Sequence, residues 1–198
     1  DVPRLTIYAS DQAHSSIGKA AIVLGIGQDN LRIIPSDDKF RMDVGKLEEA
    51  IRADKADGAR PLAIVATVGT TSSTSVDPVP VIADICQREG MWLHIDVAYA
   101  GVSAMCPELR EIMPGLERAD SFVTNPHKWM FVPVDCSTLF LRDQELLREA
   151  FSLVPDYLTT TEAATNLMDY GVQLGRRLRS LKMWMVIRAF GAEGLRAR

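Results

Sequence analysis

The sequence predicts an α/β fold of three layers, a mainly parallel sheet flanked by helices on both faces. Three observations carry that expectation. Short apolar runs alternate with segments whose apolar residues recur at spacings of three and four. Residues 61–68 (PLAIVATV) are nearly all apolar, as expected of a strand covered on both faces. Helix start and stop residues fall between such runs, and repeated strand–helix units imply parallel pairing.

In order along the chain, residues 5–9 (LTIYA) form the first strand-like run, 15–24 read as a helix and 31–34 as a short strand. Asp43 is placed as the N-cap of a helix through Lys55, with Val44, Leu47 and Ile51 on one face. After the 61–68 strand, Pro78 suits the first turn of a helix and Gly90 the position just past its end. Residues 91–97 (MWLHIDV), 121–124 (SFVT) and 136–141 (CSTLFL) read as further strands. From Leu174 a long helical pattern runs through Leu178, Leu181, Met185 and Ile187.

Composition narrows the function classes. The 198 residues carry 22 Lys+Arg and 26 Asp+Glu, a net charge of −4, with 47% hydrophobic and 24% charged residues. These values exclude a disordered tail, a collagen-like chain and a polybasic nucleic-acid binder. Cys86, Cys106 and Cys136 are odd in number and far apart, which argues against a disulfide framework or a structural zinc site and for a reducing, cytoplasmic setting. No apolar run reaches the roughly 20 residues of a membrane helix, so neither membrane nor nucleic acid is an expected partner. The chain begins at Asp1 and stops at LRAR, and it reads as a piece of something longer.

In open parallel sheets, ligands gather where the strands end. The 61–68 run is followed by Gly69-Thr70-Thr71-Ser72-Ser73-Thr74-Ser75, rich in hydroxyls. The next run ends on Asp96 between Ile95 and Val97, and the 121–124 run leads into Asn125-Pro126-His127-Lys128-Trp129. A carboxylate in such apolar company needs a cationic or hydrogen-bonding partner. Taken singly, Asp96 or Lys128 reads as half of a structural ion pair. Taken together, beside a hydroxyl-rich turn at a third strand end, they indicate a site.

Several sharper motifs fail. The stretch 13–20 resembles a phosphate-binding loop, but Ala13 stands where the first glycine belongs and Ala20 where Ser or Thr belongs. Neither G-x-G-x-x-G nor G-x-S-x-G occurs. His94, Asp96 and His127 form no metal-binding motif. A lysine and an aspartate at neighbouring strand ends do fit one chemistry well. Pyridoxal phosphate needs a lysine for its Schiff base and a carboxylate at its ring nitrogen. Hydroxyls and backbone amides at strand and helix ends can hold its phosphate, and His14 is a candidate for stacking on its ring.

The segments SDQAHSS (10–16), VATVGTT (65–71), LHIDVAYAG (93–101), NPHKW (125–129), DCS (135–137) and LGRRLRSLKMW (174–184) resemble the group II pyridoxal-phosphate-dependent amino-acid decarboxylases, above all the aromatic-L-amino-acid (tyrosine and tryptophan) enzymes. The resemblance covers essentially the whole chain but only the middle of the family's usual length. It implies the type I fold of such enzymes, with residues 1–198 as most of the large cofactor-binding domain, truncated at both ends. It also implies a mobile catalytic loop at 152–168, a helix start at 174–198 that leads toward the C-terminal part, and a homodimer.

Residue by residue, Lys128 matches the Schiff-base lysine, Asp96 the partner of the ring nitrogen, and Ala98 a residue packed on the ring. His14 matches the stacked imidazole near the substrate carboxylate, and Thr71 a hydroxyl near the ring substituents. Asn125 and His127 match groups near the phosphate, and Tyr157 the loop tyrosine proposed to return a proton to Cα. Gly175 and Arg176 match a segment near the partner subunit's site, whereas most of Arg176, Arg177, Arg179 and Lys182 read as a solvated helix face. Tyr157 and His14 favour plain decarboxylation over aldehyde synthesis. The expected reaction is decarboxylation of an L-amino acid, aromatic by resemblance, to its amine. The alternatives are glutamate, histidine or cysteine-sulfinate decarboxylation, aldehyde synthesis on the same fold, and a non-catalytic regulatory relative.

Overall fold

The computed structural model describes residues 3–153 and 165–198. Its regular elements are β1 (Leu5–Ser10), α1 (Ser16–Val23), β2 (Leu31–Ile34), α2 (Val44–Ala56), β3 (Arg60–Thr67), α3 (Val79–Glu89), β4 (Trp92–Asp96), β5 (Ser121–Thr124), β6 (Thr138–Leu141), α4 (Glu145–Phe151) and α5 (Arg179–Ala197). The strands form one sheet in the order β2-β1-β3-β4-β5-β6. All neighbours run parallel except β5 and β6. Order reverses between β1 and β3, and this is the kind of crevice where open sheets hold ligands.

Local chemistry explains the helix limits. The Asp43 carboxylate accepts the Lys46 N–H at 3.0 Å, capping α2 as expected. Gly90 ends α3 in the left-handed conformation that glycine adopts without steric cost. Pro78 stands one step earlier than expected, at the N-cap of α3, and Pro80 occupies its first turn. The main core lies under α2 and α3, where Leu47, Ile51, Ile82 and Ile85 pack on Ile64, Ala66, Leu93 and Ile95. The opposite face is thinner, with Ile17 of α1 near Ile7, Ala9 and Val65. Buried Asp54 takes three bonds from Arg32 and one from the Tyr8 hydroxyl at 2.6 Å, tying α2 to β2 and β1.

Several expectations are corrected. The 61–68 strand is covered on both faces only in its second half, since Arg60 and Leu62 are exposed and burial begins at Ile64. The 136–141 strand shortens to Thr138–Leu141 because the Cys136 backbone is engaged by His127. The helix expected from Leu174 starts five residues later. Leu178 has a non-helical ψ of 67°, and the helix begins where the Arg179 guanidinium meets Asp135 at 2.9 Å. Lys182 reaches the Pro133 carbonyl at 2.8 Å. Arg179 and Lys182 therefore brace α5 against the segment after β5 and do more than solvate a helix face. Of the loop expected at 152–168, the end is a short 3-10 turn, Leu167–Tyr170, and the centre with Tyr157 lies outside the described residues. No helix among the described residues is long and apolar enough to cross a membrane.

Two predictions follow from this packing. A Cβ on Gly101 would stand 2.6 Å from Thr124 Oγ1 and 2.9 Å from Val97 Cγ2, so the β4 exit approaches β5 too closely for a side chain. Gly101→Ala is expected to lower stability by about 1–3 kcal/mol in denaturant titration. The Arg179 guanidinium holds the Asp135 carboxyl down to about 2 from the ordinary 3.8. A depressed carboxyl stabilises the fold above its unfolded value and loses that contribution as pH falls toward its folded value. The thermal midpoint should therefore fall more steeply between about pH 4 and pH 2 in wild type than in Arg179→Gln.

Candidate functional site

Four parallel strands end at one edge of the sheet, and the chain leaving them encloses a cavity of about 350 Å³. The β1 exit contributes His14, the β3 exit Thr67, Gly69, Thr70, Thr71 and Thr74, the β4 exit Asp96, Ala98 and Tyr99, and the β5 exit Lys128. The volume falls within the range of small-molecule sites. Lys128, Asp96, His14, Thr71 and Ala98, all expected from the sequence, thus meet around one space. Asn125 and His127 stand on the same β5 exit but do not line it.

Each wall has a local cause. His14 Nδ1 accepts the Ser16 backbone N–H at 3.2 Å, which leaves the ring proton on Nε2. Thr70 is buried and staples its turn, because its hydroxyl meets Ser73 Oγ at 2.7 Å and accepts the Ser75 N–H at 2.9 Å. Gly69 has φ of +84°, and a Cβ there would meet Ala100 Cβ at 3.1 Å, so glycine lets the β3 turn lie against the β4 exit. Behind that turn lies Asp77, 2% exposed, whose carboxylate accepts the Thr67 N–H at 2.8 Å and the Met42 N–H at 2.7 Å. Burial pushes its carboxyl up, against the lowering effect of those two bonds.

Asp96 ends β4 half-buried and in register with Thr67 and Val123. Its Oδ1 accepts the Ala98 N–H at 2.9 Å, and its Oδ2 has no protein donor among the described residues. Lys128 is exposed at the cavity wall and joins no ion pair among the described residues. The structural Asp–Lys pair considered above is therefore not formed. The Lys128 N–H bonds the Asn125 carbonyl at 2.8 Å, and the Asn125 N–H bonds the Ala98 carbonyl at 3.0 Å, which joins the lysine turn to the β4 exit. His127 Nδ1 sits against the Cys136 backbone, 2.7 Å from its carbonyl oxygen and 3.0 Å from its nitrogen. Burial lowers the basicity of His94, against the opposing pull of Asp96, and its Nδ1 faces Ser121 Oγ at 2.8 Å. Gly175 and Arg176 are exposed and line no part of the cavity.

Two features escaped the sequence reading. The Tyr99 and Trp129 rings stack with centroids 4.9 Å apart and planes 11° apart, linking the exits that carry Asp96 and Lys128. Thr67 also lines the cavity, yet it sits inside an apolar run. Its position two residues before Gly69, on the alternation shared with Val65, was the available signal. The donor set fits pyridoxal phosphate. It offers a primary amine without an ion pair, a carboxylate oxygen without a protein donor, and a buried amide, Asn125, whose Oδ1 has no partner.

Comparison with known proteins agrees with that fit. Residues 2–198 match the family described as the pyridoxal-dependent decarboxylase conserved domain. The chain is 48% identical to aromatic-L-amino-acid decarboxylase of Bos taurus, over 98% of this chain and 40% of that protein. It is 44% identical to histidine decarboxylase of Homo sapiens, over 98% of this chain and 29% of that protein. It superposes on the crystal structure of Oryza sativa TDC with PLP and tryptamine at a TM-score of 0.93 and 42% identity, covering 98% of this chain and 41% of that one. The chain thus spans less than half the length of each.

Proposed function

The chain belongs to the pyridoxal-dependent decarboxylase family, and on that premise we propose that the full protein removes carbon dioxide from an aromatic L-amino acid, releasing the amine, with pyridoxal 5'-phosphate as cofactor. The observation that carries this reading is the convergence of Lys128, Asp96 and His14 on one cavity. When bound, the cofactor supplies an electron-accepting ring for the pair left at Cα as carbon dioxide departs.

The chain's own groups do the rest. Lys128, the amine at the cavity wall, would hold the cofactor covalently. The Asp96 carboxylate, whose Oδ2 has no protein donor among the described residues, would face the ring nitrogen and hold a proton there. His14, on the cavity wall, would lay its imidazole against the ring, with Nε2–H left to meet the substrate carboxylate. Ala98, small and buried, leaves room for the ring, and the Thr71 hydroxyl serves its polar substituents. Asn125 and His127 are assigned to the phosphate end. The Asn125 amide, turned over, offers N–H donors to an anion, and His127 has its Nε2 edge available because Nδ1 is held by Cys136. Tyr157 is assigned by family resemblance to return a proton to Cα, and Gly175 and Arg176 to the neighbourhood of a partner subunit's site in a homodimer. A reducing, cytoplasmic setting is part of the same reading, supported by three cysteines that form no disulfide. An imidazole-bearing substrate is the second reading, favoured by the 44% identity to histidine decarboxylase.

Product analysis of the full-length protein with Tyr, Phe, Trp, DOPA, His and Glu is expected to yield an amine from an aromatic substrate, without aldehyde or peroxide. An amine from His alone selects the second reading. Lys128→Ala should abolish both turnover and the visible absorbance of lysine-bound cofactor. Asp96→Asn should lower kcat/KM about a thousandfold, equivalent to about 4 kcal/mol of transition-state stabilisation. A Lys128→Ala protein that still turned over would overturn the assignment.

A further inference from the structure

Among the described residues, three buried side-chain atoms lack a hydrogen-bond partner: Thr67 Oγ1, Thr124 Oγ1 and Asn125 Oδ1. Thr124 packs against Gly101, and Asn125 is assigned above to the phosphate end. Thr67 remains. It is 5% exposed, lines the cavity, and pairs in register with Asp96 across the parallel β3–β4 ladder. Register partners in neighbouring strands project from the same face, and the strands lie about 4.8 Å apart. That spacing is within the reach of a hydroxyl toward a carboxylate.

The two side chains have complementary gaps. Thr67 carries a donor without an acceptor, and Asp96 Oδ2 an acceptor without a protein donor among the described residues. Thr67 cannot move off to seek another partner. Its N–H is bound to Asp77 Oδ2 at 2.8 Å, and its carbonyl accepts the Asp77 N–H at 3.0 Å. Its β-branched side chain has few rotamers to choose from. A buried hydroxyl held in this way, beside a charged group, is a donor positioned in advance.

We propose that Thr67 is a positioning residue for Asp96, its hydroxyl donating to the Asp96 carboxylate when the cofactor's ring nitrogen engages that group. The bond fixes the plane of the carboxylate that the ring nitrogen would meet. The inference rests on the cofactor reading above.

The test is titration of the full-length apoprotein with pyridoxal phosphate, followed by the visible absorbance of the lysine-bound cofactor across pH. Thr67→Val keeps the shape and removes the hydroxyl, and Thr67→Ser keeps the hydroxyl. Thr67→Val is expected to raise the cofactor Kd about tenfold, which corresponds to about 1.4 kcal/mol, and to shift the pH profile of that absorbance. Thr67→Ser should bind within about twofold of wild type, and the thermal midpoint of the apoprotein should be the same in all three. Wild-type binding by Thr67→Val overturns the proposal. So does weakened binding in Thr67→Ser to the level of Thr67→Val, because the hydroxyl would then not be the group that acts. If wild type itself binds no cofactor, the functional reading fails first and this inference with it.

Discussion

Parallel pairing is the constraint from which the remaining features follow. Because β1, β3, β4 and β5 run the same way in adjacent positions, their C-terminal ends lie along one edge, and four separate turns are forced into proximity. No turn alone makes a site. The β1 turn brings an imidazole, the β3 turn hydroxyls, the β4 end a carboxylate and the β5 turn an amine. The crossover helices occupy the faces of the sheet, so this edge is where the chain can present polar groups without disturbing the core.

Holding the four turns in place takes polar bonds, because apolar packing lacks direction. Asp77 joins the end of β3 to the chain entering α2 by accepting two backbone N–H groups in a setting almost closed to water. The Asn125 and Ala98 backbones link the turn after β5 to that after β4. Farther out, Arg179 and Lys182 fasten α5 to residues 133–135. Each bond joins two segments distant in sequence, and the first two act on residues that line the cavity, Thr67 and Ala98.

The strands and capped helices are legible in the sequence because their signals are local. A run such as MWLHIDV carries its own alternation, and Asp43 and Gly90 announce helix ends within one turn. Legibility fails where the cause is distant. The start of α5 depends on Asp135, 44 positions away, so a periodicity reading runs it back to Leu174. The 136–141 run looks uniform until His127 engages the Cys136 backbone. Lys128, Asp96 and His14 stand out as charged or basic groups at strand ends. Thr67 does not, since a threonine in an apolar strand is ordinary and only the β3–β4 register sets it beside Asp96.

The Tyr99–Trp129 stack has an optical consequence. The chain has three tryptophans, and only Trp129 is both adjacent to the cavity's amine and face to face with a ring that lines the cavity. An indole so placed is a built-in light source beside the site. Its near-ultraviolet emission would be quenched by a group between Asp96 and Lys128 that absorbs in that band, so occupancy of the cavity could be followed by the protein's own fluorescence.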